Sequence, residues 1–113
     1  MTYEEVLKIV SEEFELINDS IHNKIVRTGL TYDGCRGFCV SIYNKGDSVV
    51  ITDLGETKEV FDEVEKEEWI KLCTEHGYMW NHWRIEKEFT CIEDLYDYIK
   101  FIDFISDKYF EID

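Results

Sequence analysis

Phe38-Cys39-Val40-Ser41-Ile42-Tyr43, then Asn44-Lys45-Gly46-Asp47, then Ser48-Val49-Val50-Ile51-Thr52: this stretch decides the fold class, because it reads as two strands closed by a turn. The first run alternates and the last is β-branched, the two patterns that suit a pleated, partly buried surface. Gly46 supplies the positive φ that a tight hairpin connection demands. Asp53-Leu54-Gly55 closes the second strand, and Thr57 is placed to cap whatever follows. A lone hairpin is marginal in water, so the flanking segments must cover it.

On the N-terminal side, Thr2-Tyr3-Glu4-Glu5 has capping-box spacing, a hydroxyl followed three residues on by a carboxylate. Tyr3, Val6, Leu7, Val10, Phe14 and Ile17 recur at helical intervals and predict a helix to about Asp19. Residues 21–30 contain a strand, and Thr31-Tyr32-Asp33-Gly34 reads as a turn. On the C-terminal side, Val60, Phe61, Val64, Ile70, Leu72 and Cys73 fit no single stripe, which predicts a bend or two helices between Thr57 and His76, stopped by Gly77. Short strands around 78–80 and 83–89 are joined through Asn81-His82. Thr90-Cys91-Ile92-Glu93 repeats the capping-box spacing and opens a last helix. Its apolar stripe, from Leu95 to Tyr109, is wider than one packing surface needs, and Tyr96 and Phe104 fall outside it. That helix therefore touches two things, the sheet and either the first helix or a second subunit. The order α-β-β-β-α-(α)-β-β-α predicts one α+β domain over residues 1–113, a small, mostly antiparallel sheet of about five strands packed with N-terminal, central and C-terminal helices.

The net charge of −14 is concentrated. Residues 1–20 carry six acids against Lys8, residues 56–68 carry seven against Lys58 and Lys66, and residues 93–113 carry seven against Lys100 and Lys108. The rest of the chain is close to neutral. Like charges four apart on a helix repel, yet here the arrangement recurs three times. Such a field repels nucleic acid and anionic membranes and attracts basic surfaces. With 44% apolar residues and seventeen aromatics the chain is nevertheless a folding sequence and not an acidic tail. No charged-then-apolar leader and no run of ~20 apolar residues is present, so a cytoplasmic protein of a bacterium or phage-infected cell is expected. Cys35, Cys39, Cys73 and Cys91 are then reduced thiols.

The hairpin end Val50-Ile51-Thr52-Asp53-Leu54-Gly55-Glu56-Thr57 resembles an uncharacterised bacterial and phage family, the domain of unknown function numbered eighteen twenty-eight. In that family a strand ends in a Thr-Asp-x-Gly turn and is followed by a helix, a glycine-preceded strand and a C-terminal helical segment. The corresponding parts here are Thr52-Asp53-Leu54-Gly55, the 57–76 helices, Gly77-Tyr78 and 91–110. The resemblance implies no activity and no site, only a phage or mobile-element origin.

Three chemistries deserve weighing. Asp47 or Asp53 with Glu56-Thr57-Lys58 loosely matches the Asp plus Glu-x-Lys set of metal-dependent nucleases, in which carboxylates hold Mg²⁺ and a lysine lies near the attacking water. The commoner role for such residues is a turn aspartate and helix-entry acids suited to the dipole. Cys35-x₃-Cys39 with Cys73-x₂-His76 supplies four zinc-ligand types, although Cys39 and Cys73 sit in apolar patterns that suit buried thiols. Cys35 beside Arg36 forms a nucleophile only if the fold delivers a histidine. No metal or other cofactor is expected.

The remaining features favour a non-enzymatic binding protein. Glu59, Glu63 and Glu67 stand at i, i+4 intervals, about 6 Å apart on a helix and close to the spacing of successive phosphates. Glu12, Glu15 and Asp19 make a second row, while Asp62, four residues from both Lys58 and Lys66, shows that part of this surface is ordinary salt-bridge decoration. Tyr78-Met79-Trp80-Asn81-His82-Trp83 offers Trp80 and Trp83 as apolar anchors, or as core rings beneath a hairpin. The expectation is an acidic inhibitor that mimics nucleic acid and occupies a basic nucleic-acid-binding site on another protein, of anti-CRISPR or anti-restriction type, without binding nucleic acid or membrane itself. The alternatives are an oligomerisation module, with a homodimer formed through the C-terminal aromatic helix, and a nuclease centred on Asp53, Glu56 and Lys58.

Overall fold

The computed structural model describes residues 1–32, 34 and 36–110, with Asn18 and Asp19 described in their backbone only. Ten elements follow one another: α1 (Tyr3–Ser11), β1 (Leu16–Ser20), β2 (Asn23–Val26), β3 (Val40–Asn44), β4 (Val49–Thr52), α2 (Glu56–Val60), α3 (Lys66–His76), β5 (Met79–Asn81), β6 (Arg84–Glu88) and α4 (Ile92–Tyr109). The six strands form one antiparallel sheet in the order β1-β2-β3-β4-β6-β5. The α+β class is as expected, with one strand more than the sequence suggested.

The extra strand is β1, and it corrects the expected first helix. The capping box forms as read, with the Glu5 amide donating to Thr2 Oγ1 at 3.1 Å and the Thr2 amide to Glu5 Oε1 at 2.9 Å. The helix then ends at Ser11, not Asp19, with Glu12 as its C-cap. Phe14 and Ile17 keep helical spacing, but Leu16 and Ile17 pair with Val26 and Ile25, so the ladder claims this backbone. A spacing of three residues fits a helix and a short amphipathic strand alike, and the long-range pairing partner decided between them.

Strand registers sort the side chains onto two faces. Val26, Val40, Ile42, Ile51 and Ile85 share one face, and all are buried in the core with Tyr3, Val6 and Val10 of α1, Trp69 and Leu72 of α3, and Leu95, Ile102 and Ile105 of α4. Val60 of α2 packs against the same core. All four helices therefore pack on one side of the sheet. The central segment divides into two helices, as its broken stripe indicated, and Gly77 ends α3 at φ 81°, with the Tyr78 amide closing back onto the Cys73 carbonyl at 2.8 Å.

The wide stripe of α4 finds its second contact inside the chain. Tyr98 is fully buried and donates its hydroxyl to the Ile85 carbonyl on the sheet, while Phe101 packs on His76 and Tyr109 packs edge-on against Trp69, both in α3. Tyr96 reaches the α1–β1 connection, stacking obliquely on Phe14 and donating to Glu13 at 3.0 Å. Entry to α4 is capped one residue later than expected. Asp94, not Glu93, accepts from the Thr90 and Cys91 amides at 2.8 and 3.2 Å.

The opposite face carries Ser41, Thr52 and Glu86 in one transverse row, all buried. Glu86 Oε1 accepts from Lys45 Nζ at 3.0 Å and from Asn81 Nδ2 at 3.2 Å, whereas Oε2 has no partner among the described residues. Lys45 is one-third exposed, so solvent screens it and the pair is worth less than a fully dry one. Lys45→Ala is expected to lower stability by about 1–3 kcal/mol by leaving the carboxylate buried and unpaired. Adding Glu86→Gln should recover much of that in urea unfolding, and full additivity of the two losses would contradict the coupling.

Candidate functional site

The Thr52-Asp53-Leu54-Gly55 turn is built around a single carboxylate. Asp53 is fully buried, and its Oδ1 accepts from the Gly55 amide at 2.9 Å and from the Ile85 amide at 3.0 Å, while Oδ2 accepts from the Thr57 amide at 3.3 Å. Two of those bonds hold the turn and start α2. The third reaches across to β6. Thr57 Oγ1 in turn lies 2.9 Å from the Tyr32 hydroxyl, tying the β2–β3 connection to the same point. Desolvation pushes the Asp53 carboxyl above the usual carboxylate range, against the lowering effect of its hydrogen bonds.

Asp53 thereby clamps the turn against the tip of the β5–β6 hairpin. Asn81 pairs with Arg84, so the loop is the two residues His82 and Trp83, at φ 49° and 71°. Both central residues of a primed hairpin turn need positive φ, which is why Asn-Gly is the favoured pair there. The sequence reading placed the joint at Asn81-His82, one residue early, because neither histidine nor tryptophan advertises a left-handed backbone. Leu54, at φ 55°, is the other non-glycine residue with positive φ among those described, so all three such residues meet at one place. A Cβ on Gly55 would lie 3.6 Å from the Trp83 carbonyl oxygen, which shows how closely the two turns approach. Sparsely populated backbone of this kind costs about 1–3 kcal/mol per residue and concentrates at functional surfaces.

The strained tip holds Trp83 outward, 51% exposed. Its ring stands edge-on to Trp80 at 6.2 Å, and Trp80 stacks flat on fully buried Trp69 at 5.7 Å. Lys66, Ile70, Trp80, Asn81, His82 and Trp83 line a groove of about 440 Å³ between α3 and the hairpin. Ile70 is 40% exposed in it, and Lys58 Nζ lies 5.6 Å from the centre of the Trp83 ring. Trp80 is thus half core ring and half groove wall, whereas Trp83 is a surface ring.

The acidic candidates are redistributed. Glu59 lies on α2, Glu63 in the connection and Glu67 on α3, all exposed, so the break at 61–65 removes the single helical row predicted for them. From this segment it is the lysines that meet the groove, Lys66 lining it and Lys58 reaching the Trp83 ring. Glu59 is partly engaged by Arg36 at 3.7 Å, which also binds Glu56 at 2.9 Å. Glu12 and Glu15 are exposed but share no helix, and Glu15 pairs with Arg27 at 3.5 Å beside β1. Since β1 and β5 are opposite edges of six strands, about 24 Å apart at ~4.8 Å per strand, the structure does not bring Glu12 and Glu15 to the tryptophan groove. The side chain of Asp19 lies outside the described residues.

The nuclease constellation is not assembled. The Asp53 oxygens are filled by backbone amides, Asp47 is exposed in the β3–β4 turn, Glu56 faces Arg36, and Lys58 faces Trp83 and the Asp62 carbonyl. No group of three His, Cys, Asp or Glu side chains among the described residues is placed to hold a metal ion. Cys35 lies outside the described residues, so the pairing of Cys35 with Cys39 or with a histidine has no geometry. Cys73 is buried, and desolvation, with Asp53 adding to it, pushes its thiol up to about 12, far from the thiolate that zinc requires. His76 packs against the rings of Phe101 and Phe104. No helix among the described residues is long and apolar enough to cross a membrane.

No protein-family model, curated protein or solved structure matches this chain. The contact of Lys58 with Trp83 and the groove residues Lys66 and Ile70 had no signal in the sequence, because the first depends on the Asp53–Ile85 contact and the others on the packing of Trp69 against Trp80.

Proposed function

We propose that this chain is a non-enzymatic acidic binding protein that occupies a basic, nucleic-acid-binding site on another protein, as phage-encoded anti-restriction and anti-CRISPR mimics do. One observation carries the reading. The segments that hold the charge are those attached to the helices, and the helices lie on one side of the sheet. Residues 1–15, 56–76 and 92–110 together hold eighteen acids against six lysines, while the strands and their turns are close to neutral. A field with one sign on one side of a small, rigid domain steers a cationic partner and suppresses anionic ones. The broken Glu59–Glu63–Glu67 row argues against a phosphate-by-phosphate ladder and for a diffuse acidic surface, with Trp80 and Trp83 beside it as the apolar part of the contact.

The reading is tested by charge reversal. Glu59→Lys, Glu63→Lys and Glu67→Lys together should weaken binding to the partner at low salt by at least about tenfold, and molar salt should erase most of the difference from wild type. Affinity that is unchanged by the triple substitution and by salt would overturn it.

A further inference from the structure

We propose that the groove beside Trp83 binds a small planar aromatic ligand carrying an anionic group, the chemistry of a mononucleotide, with the ring laid against the Trp83 indole and the anionic group met by Lys66 and Lys58. This goes beyond the acidic-binding reading, which assigns the groove no small ligand, and stands or falls separately from it. The indoles of Trp80 and Trp83 stand at 87° to each other, so they form an L-shaped corner. One face of Trp80 is taken by its flat stack on Trp69. A flat ring laid on Trp83 would meet Trp80 at right angles, and offset stacking and edge-to-face contact are the two arrangements that aromatic pairs favour. Ile70 adds an apolar wall, and the left-handed backbone at His82 and Trp83 holds the indole at the hairpin tip. Lys58 is not one of the groove-lining residues, so its ammonium touches the Trp83 ring without filling the space.

Charge selects the anionic substituent. No carboxylate lines the groove; Lys66 does, and Lys58 lies beside the ring. Although the chain holds 26 acids against 12 Lys and Arg, neither lysine forms an ion pair among the described residues, and Asp62 offers Lys58 its carbonyl instead of its carboxylate. His82 lines the same groove, exposed and with no hydrogen-bond partner for its imidazole among the described residues, and provides a polar contact for the edge of the ligand. Size excludes a polymer. About 440 Å³ suits one ring system with a short anionic arm. A nucleic-acid strand would carry further phosphates across a surface of net charge −14. Carboxylates farther than about 8 Å from the bound group are screened at physiological salt, so one or two charges in the groove answer to the lysines.

The probes are adenosine monophosphate, adenosine and inorganic phosphate, titrated at equal ionic strength and followed by NMR through the indole N–H signals of Trp69, Trp80 and Trp83. Adenosine monophosphate should move the Trp80 and Trp83 signals and bind at least about threefold more tightly than adenosine. Phosphate alone should leave both signals in place. The double variant Lys58→Gln, Lys66→Gln should erase the preference for the phosphorylated ligand. Trp83→Asn, in which asparagine tolerates the left-handed backbone, should weaken both nucleosides by at least about fivefold. The signal of buried Trp69 reports that each variant is folded. Equal affinity of wild type for the two nucleosides, a preference that survives the lysine substitutions, binding that survives Trp83→Asn, an equal response to phosphate alone, or no response to any probe overturns the proposal. None of these outcomes bears on the acidic-binding reading, which the charge-reversal experiment decides.

Discussion

Asp53→Ala is expected to cost about 3–5 kcal/mol of stability, a large part of the ~5–15 kcal/mol available to a domain of this kind. The substitution strips the Gly55, Thr57 and Ile85 amides of their acceptor at once, in a place with no exposure to water. Each orphaned buried donor costs about 1–3 kcal/mol, and partial relaxation keeps the sum below simple addition. Asp53→Asn should fall between wild type and Ala, because an amide keeps one acceptor and turns a donor toward one of the amides. The pH dependence has a definite sign. The folded-state pKa of Asp53 is raised, so the native chain holds that proton more tightly than the unfolded chain. Its contribution to stability is therefore greatest below the ordinary carboxylate value and declines as pH rises through the raised one. Urea unfolding across that acidic window should show wild type losing ground to Asp53→Asn as pH increases. A constant gap would contradict the assigned shift.

Trp69→Ala is expected to lose about 3–5 kcal/mol, with Trp69→Phe losing much less. Trp69 is wholly buried, stacked on Trp80 and met edge-on by Tyr109, so truncation opens a cavity bounded by two rings that cannot easily collapse. Its indole Nε1 has no hydrogen-bond partner among the described residues, so replacing the indole by a phenyl ring removes volume without breaking a hydrogen bond. Thermal or chemical unfolding of both variants decides this, and a Phe variant as damaged as the Ala variant would show that an indole hydrogen bond had been missed. Because Trp80 loses its stacking platform, Trp69→Ala should also loosen the groove wall, making it a poor probe of binding unless stability is corrected for.

These two residues also show where a sequence can be read and where it cannot. The β3–β4 hairpin, the first capping box, the break between α2 and α3 and the Gly77 stop were legible because each is written in four to eight neighbouring residues. The α1–β1 boundary was not, since Leu16 and Ile17 serve either period and only pairing with Ile25 and Val26 selects the strand. Asp53 was legible as a turn aspartate but not as a clamp between two turns. In sequence it is an acid before a Glu-x-Lys triplet, and nothing local reveals that the Ile85 amide, thirty-two residues on, will fill one of its oxygens. The groove was half legible. Trp80 and Trp83 stood out by type, but Lys58 reaches Trp83 through the Asp53–Ile85 contact, and Lys66 and Ile70 arrive with the packing of Trp69 on Trp80. The acidic segments were fully legible as charge, whereas their common side of the sheet required the strand registers.

The central claim, an acidic surface that engages a basic nucleic-acid-binding protein, is tested most directly by parallel capture. Immobilised wild type and the Glu59→Lys, Glu63→Lys, Glu67→Lys variant are exposed to lysate of the source cells, washed, and eluted by a salt step for mass spectrometry. Wild type should release a nucleic-acid-binding protein in the salt eluate that the variant fails to retain, and that protein should lose its grip on nucleic acid when wild type is added. Recovery of only the chain itself, or of the same proteins from both columns, would contradict the account and leave the charge as a solubility feature.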